Sequence, residues 1–226
     1  MSIKPISAAD TRRASKHQVP GWARGVWKRL RIRLDGEVER RTRIIWIQTP
    51  LLFADIRSPA PSDSAREAEG FAGHLEIRGQ IFSWQRPIDL HPPRDPGDEG
   101  AMFRDGDDMI EVGIHANYVE DWKLIGTPAE HLAMTRGAYA ICSEGVTWPG
   151  DEPLEVAVVS DGHVIHAWRG PGGSGLAYHL LNRDTDTLKP RYTLGAERKE
   201  TGRGGWRIWS TDMNSRQVEA LGDLLD

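Results

Sequence analysis

The chain has 226 residues, with 29 Lys+Arg against 33 Asp+Glu and a formal charge of -4, enough length for one large domain or two small ones around a substantial core. That slight acidity argues against a dedicated nucleic-acid binder, which carries a basic excess. The single cysteine, Cys142, excludes an intramolecular disulfide framework and any four-cysteine metal site. Gly 24, Pro 14 and Trp 9 are high counts, and frequent turns with many aromatics favour β architecture over a helical bundle.

Residues 1–20 are polar and lack the run of roughly 7–15 apolar residues of a signal peptide. No stretch approaches the roughly 20 apolar residues of a transmembrane helix. With one unpaired cysteine, the expectation is a cytoplasmic protein with no membrane partner. The first twenty residues read as a flexible arm whose Lys4, Arg12, Arg13, Lys16 and His17 are solvated.

From Trp22 the hydrophobic period becomes two. Val26, Leu30, Ile32 and Leu34 fall on one face and Arg29, Arg31 and Arg33 on the other, the pattern of a half-buried strand. Asp35-Gly36 is a turn signal, Thr42 to Thr49 a second strand, and Leu51 to Arg57 a third after the break at Pro50. Ser62 to Gly70 reads as a short polar helix capped by Ser64. Strands follow at Gly73–Arg78, Ile81–Asp89, Ala101–Arg104, Met109–Gly113 and Tyr118–Ile125, with loop chemistry from His91-Pro92-Pro93 to Gly100.

Beyond residue 127, His131 to Cys142 is ambiguous because of its small residues. Leu154–Ser160 and His163–Arg169 make a clear hairpin about Asp161-Gly162, and Gly170 to Gly175 reads as a flexible connector. Arg191–Glu197 and Trp206–Thr211 are the last strand candidates. Asn214 and Gln217 have capping-box spacing before an apolar stripe of Val218, Leu221, Leu224 and Leu225, so a short amphipathic helix closes the chain. The expected fold is all-β: an antiparallel barrel of about ten strands with a short C-terminal helix packed against it. Residues 21–226 read as one barrel domain, with two smaller barrels divided near 126–128 as the alternative.

Three segments carry a resemblance. They are Arg43-Ile-Ile-Trp46-Ile-Gln48-Thr49-Pro50-Leu-Leu-Phe53-Ala-Asp55-Ile-Arg57; Phe82-Ser-Trp84-Gln-Arg86-Pro-Ile-Asp89-Leu-His91-Pro92-Pro93; and Asp108-Met-Ile-Glu111-Val-Gly113 through Tyr118-Val-Glu120-Asp-Trp122. In that order they resemble the Hri protein family, fungal proteins and bacterial relatives with no assigned enzymatic activity. The resemblance spans roughly residues 22–125. It implies a lipocalin-like, calycin-type barrel and supplies no catalytic residue.

The residues also speak without the family. Trp46 and Gln48 share a strand face, as do Asp55 and Arg57, Trp84 and Arg86, and Tyr118, Glu120 and Trp122; Glu111 lies on a face opposite Ile110 and Val112. If these faces point inward, they line a ligand cavity. The competing readings are an outer surface over a dry interior, and a homodimer interface. The inward reading makes the protein a binder of a small, partly apolar molecule bearing an anionic or carbonyl group, with Arg57 as clamp and Trp84 as stacking wall.

Two other functions stay open: an enzyme of isomerase, lyase or hydrolase type using a carboxylate such as Asp55 or Glu111, or His91 or His115, in the same cavity, and a protein-interaction barrel with a filled interior. Asp55–Arg57 and Glu111–Arg86 are the expected structural pairs. No cofactor is called for, haem on His91, His115, His166 or His179 being the outside alternative. His163 and His166 face opposite sides of a strand and cannot share a metal ion. Gly170 to Gly175 lacks the Lys-Ser/Thr of a phosphate loop.

Overall fold

The computed structural model describes residues 3–5, 7, 18–58, 68–91, 97–142, 145–147, 150, 152–198 and 205–226. Arg12, Arg13, Lys16 and His17, most of the expected helix from Ser62, and Pro92 and Pro93 lie outside them. The alternating segments of the first half form β2 (Gly25–Leu34), β3 (Glu37–Glu39), β4 (Arg43–Gln48), β5 (Leu52–Ser58), β6 (Glu69–Arg78), β7 (Ile81–Asp89), β8 (Glu99–Asp105), β9 (Asp108–Gly113) and β10 (Tyr118–Gly126), after a short β1 (Ile3–Pro5). Each pairs antiparallel with the next, save that β2 pairs with both β3 and β4, and β10 returns to pair with β2. The expected barrel is therefore present. It closes with eight strands, β2 and β4–β10, and β3 hangs on as an extra. Closure removes the sheet edges that would otherwise template aggregation.

Among the described residues the second half neither extends the barrel nor builds another. Its strands β11 (Leu132–Gly137), β14 (Leu154–Ser160), β15 (His163–Gly170), β16 (Gly173–Asn182), β17 (Thr187–Gly195) and β18 (Trp206–Thr211) form an open sheet in the order β1-β18-β11-β14-β15-β16-β17, and β12 (Ala140–Cys142) pairs with β13 (Gly145–Thr147). This sheet stacks on the outer faces of β4–β7. There Ile47, Leu52, Ala54, Ile56, Ala72 and Ile88 of the barrel meet Val156, Val158, Ile165, Ala167, Leu176 and Trp209 of the sheet in one buried cluster. Each large aliphatic side chain buried there contributes about 1.5–3 kcal/mol, so this seam is a principal source of cohesion.

The C-terminal helix α1 (Ser215–Leu225) forms where its capping box places it, with the Asn214 side chain accepting from the Gln217 backbone and Gln217 returning the bond. It packs on the far face of the second sheet, Val218, Leu221 and Leu225 against Leu132, Val159, Val164 and Trp206, and not on the barrel. The N-terminal segment is anchored rather than loose at both described ends. Residues 3–5 pair parallel with β18. Val19 is buried and donates its N–H to Pro50 O at 2.9 Å. The 3-10 turn Gly21–Ala23 then plugs one end of the barrel, accepting the Trp27 indole N–H on Ala23 O at 2.9 Å.

Two of the bulges in the barrel decide which residues face the lumen. In β2, Arg29 and Arg31 oppose the adjacent residues Trp122 and Asp121, leaving Leu30 as the extra residue. Val26 therefore faces the second sheet while Ile32 and Leu34 face the barrel lumen, and Leu30 is exposed, so the face expected for these four residues is split. Arg29 turns inward with Trp27. In β7, Arg86 and Pro87 together stand against the single Gly73 between the pairs Gln85–His74 and Ile88–Ala72, so Trp84 faces the lumen and Ile88 the outer seam.

The run Gly170 to Gly175, expected as a connector, instead turns tightly into β16, where Gly175 lies opposite Trp168. A Cβ on Gly175 would come within 2.5 Å of that indole ring, so the glycine is a seat for tryptophan. Glu69 and Gly70, the last residues of the expected helix from Ser62, open β6.

The β7 bulge depends on Gly73. A Cβ there would lie 1.9 Å from Gln85 O and 2.5 Å from Pro87 Cδ, both backbone or ring atoms that cannot swing away. Gly73→Ala is expected to lose about 1–3 kcal/mol of stability by overpacking, measured as a lower denaturation midpoint in urea. A wild-type midpoint would show that the bulge relaxes freely.

Candidate functional site

Because β4–β7 bury their aliphatic residues in the outer seam, their alternate residues point into the barrel. Toward the plugged end the lumen is filled by Trp27, Phe53, Leu75, Phe82, Met102 and Met109. Toward the other end it opens into a cavity of about 1040 Å³, at the upper limit of the usual ligand-site range. Trp46, Trp84 and Trp122 border it, Trp84 and Trp122 each meeting Trp46 edge-to-face with centroids 6.0 and 5.5 Å away. The mouth is formed by Leu34, Asp35 and Glu37 on one side and His115 and Ala116 on another.

Of the ten residues expected at a site, the structure brings nine to this cavity: Trp46, Asp55, Arg57, Trp84, Arg86, Glu111, Tyr118, Glu120 and Trp122. Gln48 is the exception. It lies deeper, accepts the Trp46 indole N–H at 3.2 Å and donates to Thr49 O at 2.9 Å, so it ties down the β4–β5 turn.

The charges are arranged in pairs. Arg57 forks onto Asp55, Nε to Oδ1 at 2.9 Å and Nη2 to Oδ2 at 3.4 Å. Asp55 is only 3% exposed. Arg29, also buried, bridges Glu120 at 2.6 Å and Glu39 at 2.9 Å. Arg86 stacks on the Phe71 ring, 3.4 Å from its centroid, and reaches Asp89 at 3.5 Å and Asp98. The expected Glu111–Arg86 pair does not form. Glu111 instead accepts the Tyr118 hydroxyl at 2.7 Å and the Trp122 indole N–H at 3.1 Å, both neutral donors, and stands directly across the ladder from Glu120.

These surroundings set the ionisation. Burial pushes the Glu111 carboxyl up to about 8, helped by the Glu120 charge and opposed by its two hydrogen bonds and Arg57. Burial also raises Glu120, against the pull of Arg57 and Arg29. Burial works against the Arg57 charge, but Asp55 and Glu120 outweigh it and hold its pKa above the ordinary value. Burial and then the Arg57 charge lower that of Arg86.

Each guanidinium at the cavity already faces a carboxylate, so a ligand anion would compete with Asp55, Glu120 or Asp89, and among the described residues the buried Arg86 Nε–H is left without a hydrogen bond there. Arg29, Phe71 and Asp89 are cavity residues that the sequence reading missed. Trp27-Lys-Arg29 carried the signal, an aromatic and a polar residue two apart as in Trp84-Gln-Arg86. Phe71 and Asp89 follow only from register.

His91 and His115 sit at the rim, bonded to Ala68 O at 2.9 Å and Glu99 at 3.1 Å. His166 and His179 belong to the second sheet, where His166 bonds Glu155 at 2.7 Å. Among the described residues no three His, Cys, Asp or Glu side chains gather as a metal site would require, and no helix is long and apolar enough to cross a membrane.

No family model matches the chain, and no curated protein matches it. Among solved structures it is similar to the crystal structure of an uncharacterised protein from Saccharomyces cerevisiae. The TM-score is 0.57 at 11% identity, over 83% of this chain and 98% of that one. The two share a fold.

Two tests address the charges. Arg57→Ala leaves Asp55 buried without its cation and is expected to cost about 3–5 kcal/mol of stability, much of it recovered in the Asp55→Asn/Arg57→Ala double variant. Equal stability of wild type and single variant in guanidinium melts would place Arg57 outside the fold's electrostatic core. For Glu111, the unfolded chain releases the proton near 4.5 and the folded protein holds it to about 8. The folded state therefore binds more protons in that window, and stability falls as pH rises through it. Glu111→Gln should match wild type near pH 4.5 and exceed it at pH 8 by an amount on the order of a few kcal/mol. Parallel stability–pH curves for the two proteins would refute this.

Proposed function

We propose that the protein binds a small, partly apolar molecule within the barrel. The observation that carries this reading is the lumen, which is divided into a packed half and an open half of about 1040 Å³ bordered by three tryptophans and buried charges. Burying Asp55, Glu111 and Glu120 opposes folding, and a barrel this size can fill itself with side chains. Functional sites are where such costs are retained. The filled-interior alternative has little support beside a cavity of this volume.

An acid–base enzyme is the second reading, favoured by one feature: Glu111, holding its proton, stands opposite Glu120 at the same cavity. Membership of the Hri family is also proposed. The three resembling segments fall on β4–β5, β7 and β9–β10 of the barrel, and a fungal protein shares the fold. A cytoplasmic location belongs to the same proposal.

The test is a native mass spectrum of protein purified from its own host. The expected result is a chain mass plus one small molecule, with the adduct reduced about tenfold or more in Trp84→Ala while circular dichroism stays that of a β protein. A bare chain mass in both proteins would overturn the binding reading.

A further inference from the structure

We infer that the cavity is built for an organic cation, an amine carried on an aromatic or apolar body, with its ammonium against Glu111 and Glu120 and its body against Trp46, Trp84 and Trp122. This rests on the binding reading above and names the ligand class.

The argument is one of charge balance. Among the described residues, ten carboxylates and three arginines line the cavity. All three arginines are engaged: Arg29 by Glu39 and Glu120, Arg57 by Asp55, and Arg86 by Asp89 and Asp98. Glu111 differs from the other deep carboxylates. It is only 5% exposed, and its hydrogen bonds come from a phenol and an indole, neither of which supplies positive charge. A buried carboxylate is satisfied by a cation or by a proton. A ligand ammonium would provide the cation, and the proton that Glu111 holds in the free protein would leave to solvent.

The tryptophans bordering the cavity fit the same occupant. A cation near the tryptophan rings gains from their quadrupoles as well as from the carboxylates. The acidic residues at the mouth, Asp35 and Glu37, attract cations and repel anions during encounter. A neutral ligand would gain neither effect, and an anion would oppose both.

The experiment uses the full chain and three naphthalene probes of similar size: 2-(1-naphthyl)ethylamine, 2-(1-naphthyl)ethanol and 1-naphthylacetate. Titration calorimetry at pH 7, in buffers of different ionisation enthalpy, reads affinity and proton count together. The amine is expected to bind at least about tenfold tighter than the alcohol, the carboxylate weakest. About one proton should be released per amine, because Glu111 faces Glu120, Tyr118, Trp122 and Arg57 and is the group whose charge changes. In Glu111→Gln the amine should lose its advantage over the alcohol, and the proton release should disappear.

Alcohol binding as tight as amine binding in the wild type would overturn the cation inference and leave the binding reading standing. Amine preference unchanged in Glu111→Gln would overturn the assignment to Glu111. No binding of any probe at millimolar concentration would count against both readings.

Discussion

The barrel strands β4 to β7 carry two cores at once, and the rest of the molecule depends on that double burial. Their outer residues, Ile47, Ala54, Ile56 and Ile88 among them, are sealed by the second sheet. Their inner residues, Trp46, Phe53, Phe71 and Trp84, belong to the lumen. The pairing of β10 with β2 makes the arrangement possible, because only a closed sheet has an inside. The outer seam supplies ordinary hydrophobic cohesion, which relieves the lumen of having to be a complete dry core. A sheet buried on one face only could not give up half of that face to charged side chains.

Inside the lumen the charges do different work from what their residue types suggest. Arg57 is the natural anion clamp of a barrel pocket, yet its fork is spent on Asp55 two residues away on the same strand face. Arg29 is similarly committed between two glutamates. Such pairs make buried charge tolerable and contribute little net stability. The carboxylate held only by neutral donors is Glu111, standing across the ladder from Glu120. With three arginines, each paired, against ten carboxylates, the cavity is an acidic one.

The second sheet is more than a cover. It holds its own buried charge cluster, with Glu155 bonded to His166 at 2.7 Å and to Arg198 at 3.1 Å beneath the edge of Trp206. It also seats α1 on its far face. Barrel, sheet and helix are three layers, and each middle surface is buried on both sides. This explains why β14 reads as a nearly continuous apolar run, Leu154 to Val159 broken only by Glu155.

By itself the sequence determined the local and periodic features. Strand identity followed from period-two alternation, hairpins from Asp-Gly pairs, the last helix from Asn214 and Gln217, and the shared faces of β5 and β10 from residues two apart, though not which way those faces point. These are properties of a few neighbouring residues, so they survive without tertiary context. Tertiary structure alone decided the number of strands that close, the stacking of the second half on the barrel, and the partners of the charges other than Asp55 and Arg57. Bulges at Leu30 and at Arg86-Pro87 shift the pleat by one residue and exchange inside for outside, and no alternation rule can see them because a bulge is a disagreement between two strands. Pairings such as Arg29 with Glu120 join residues far apart in the chain, and they exist only because closure brings β10 beside β2.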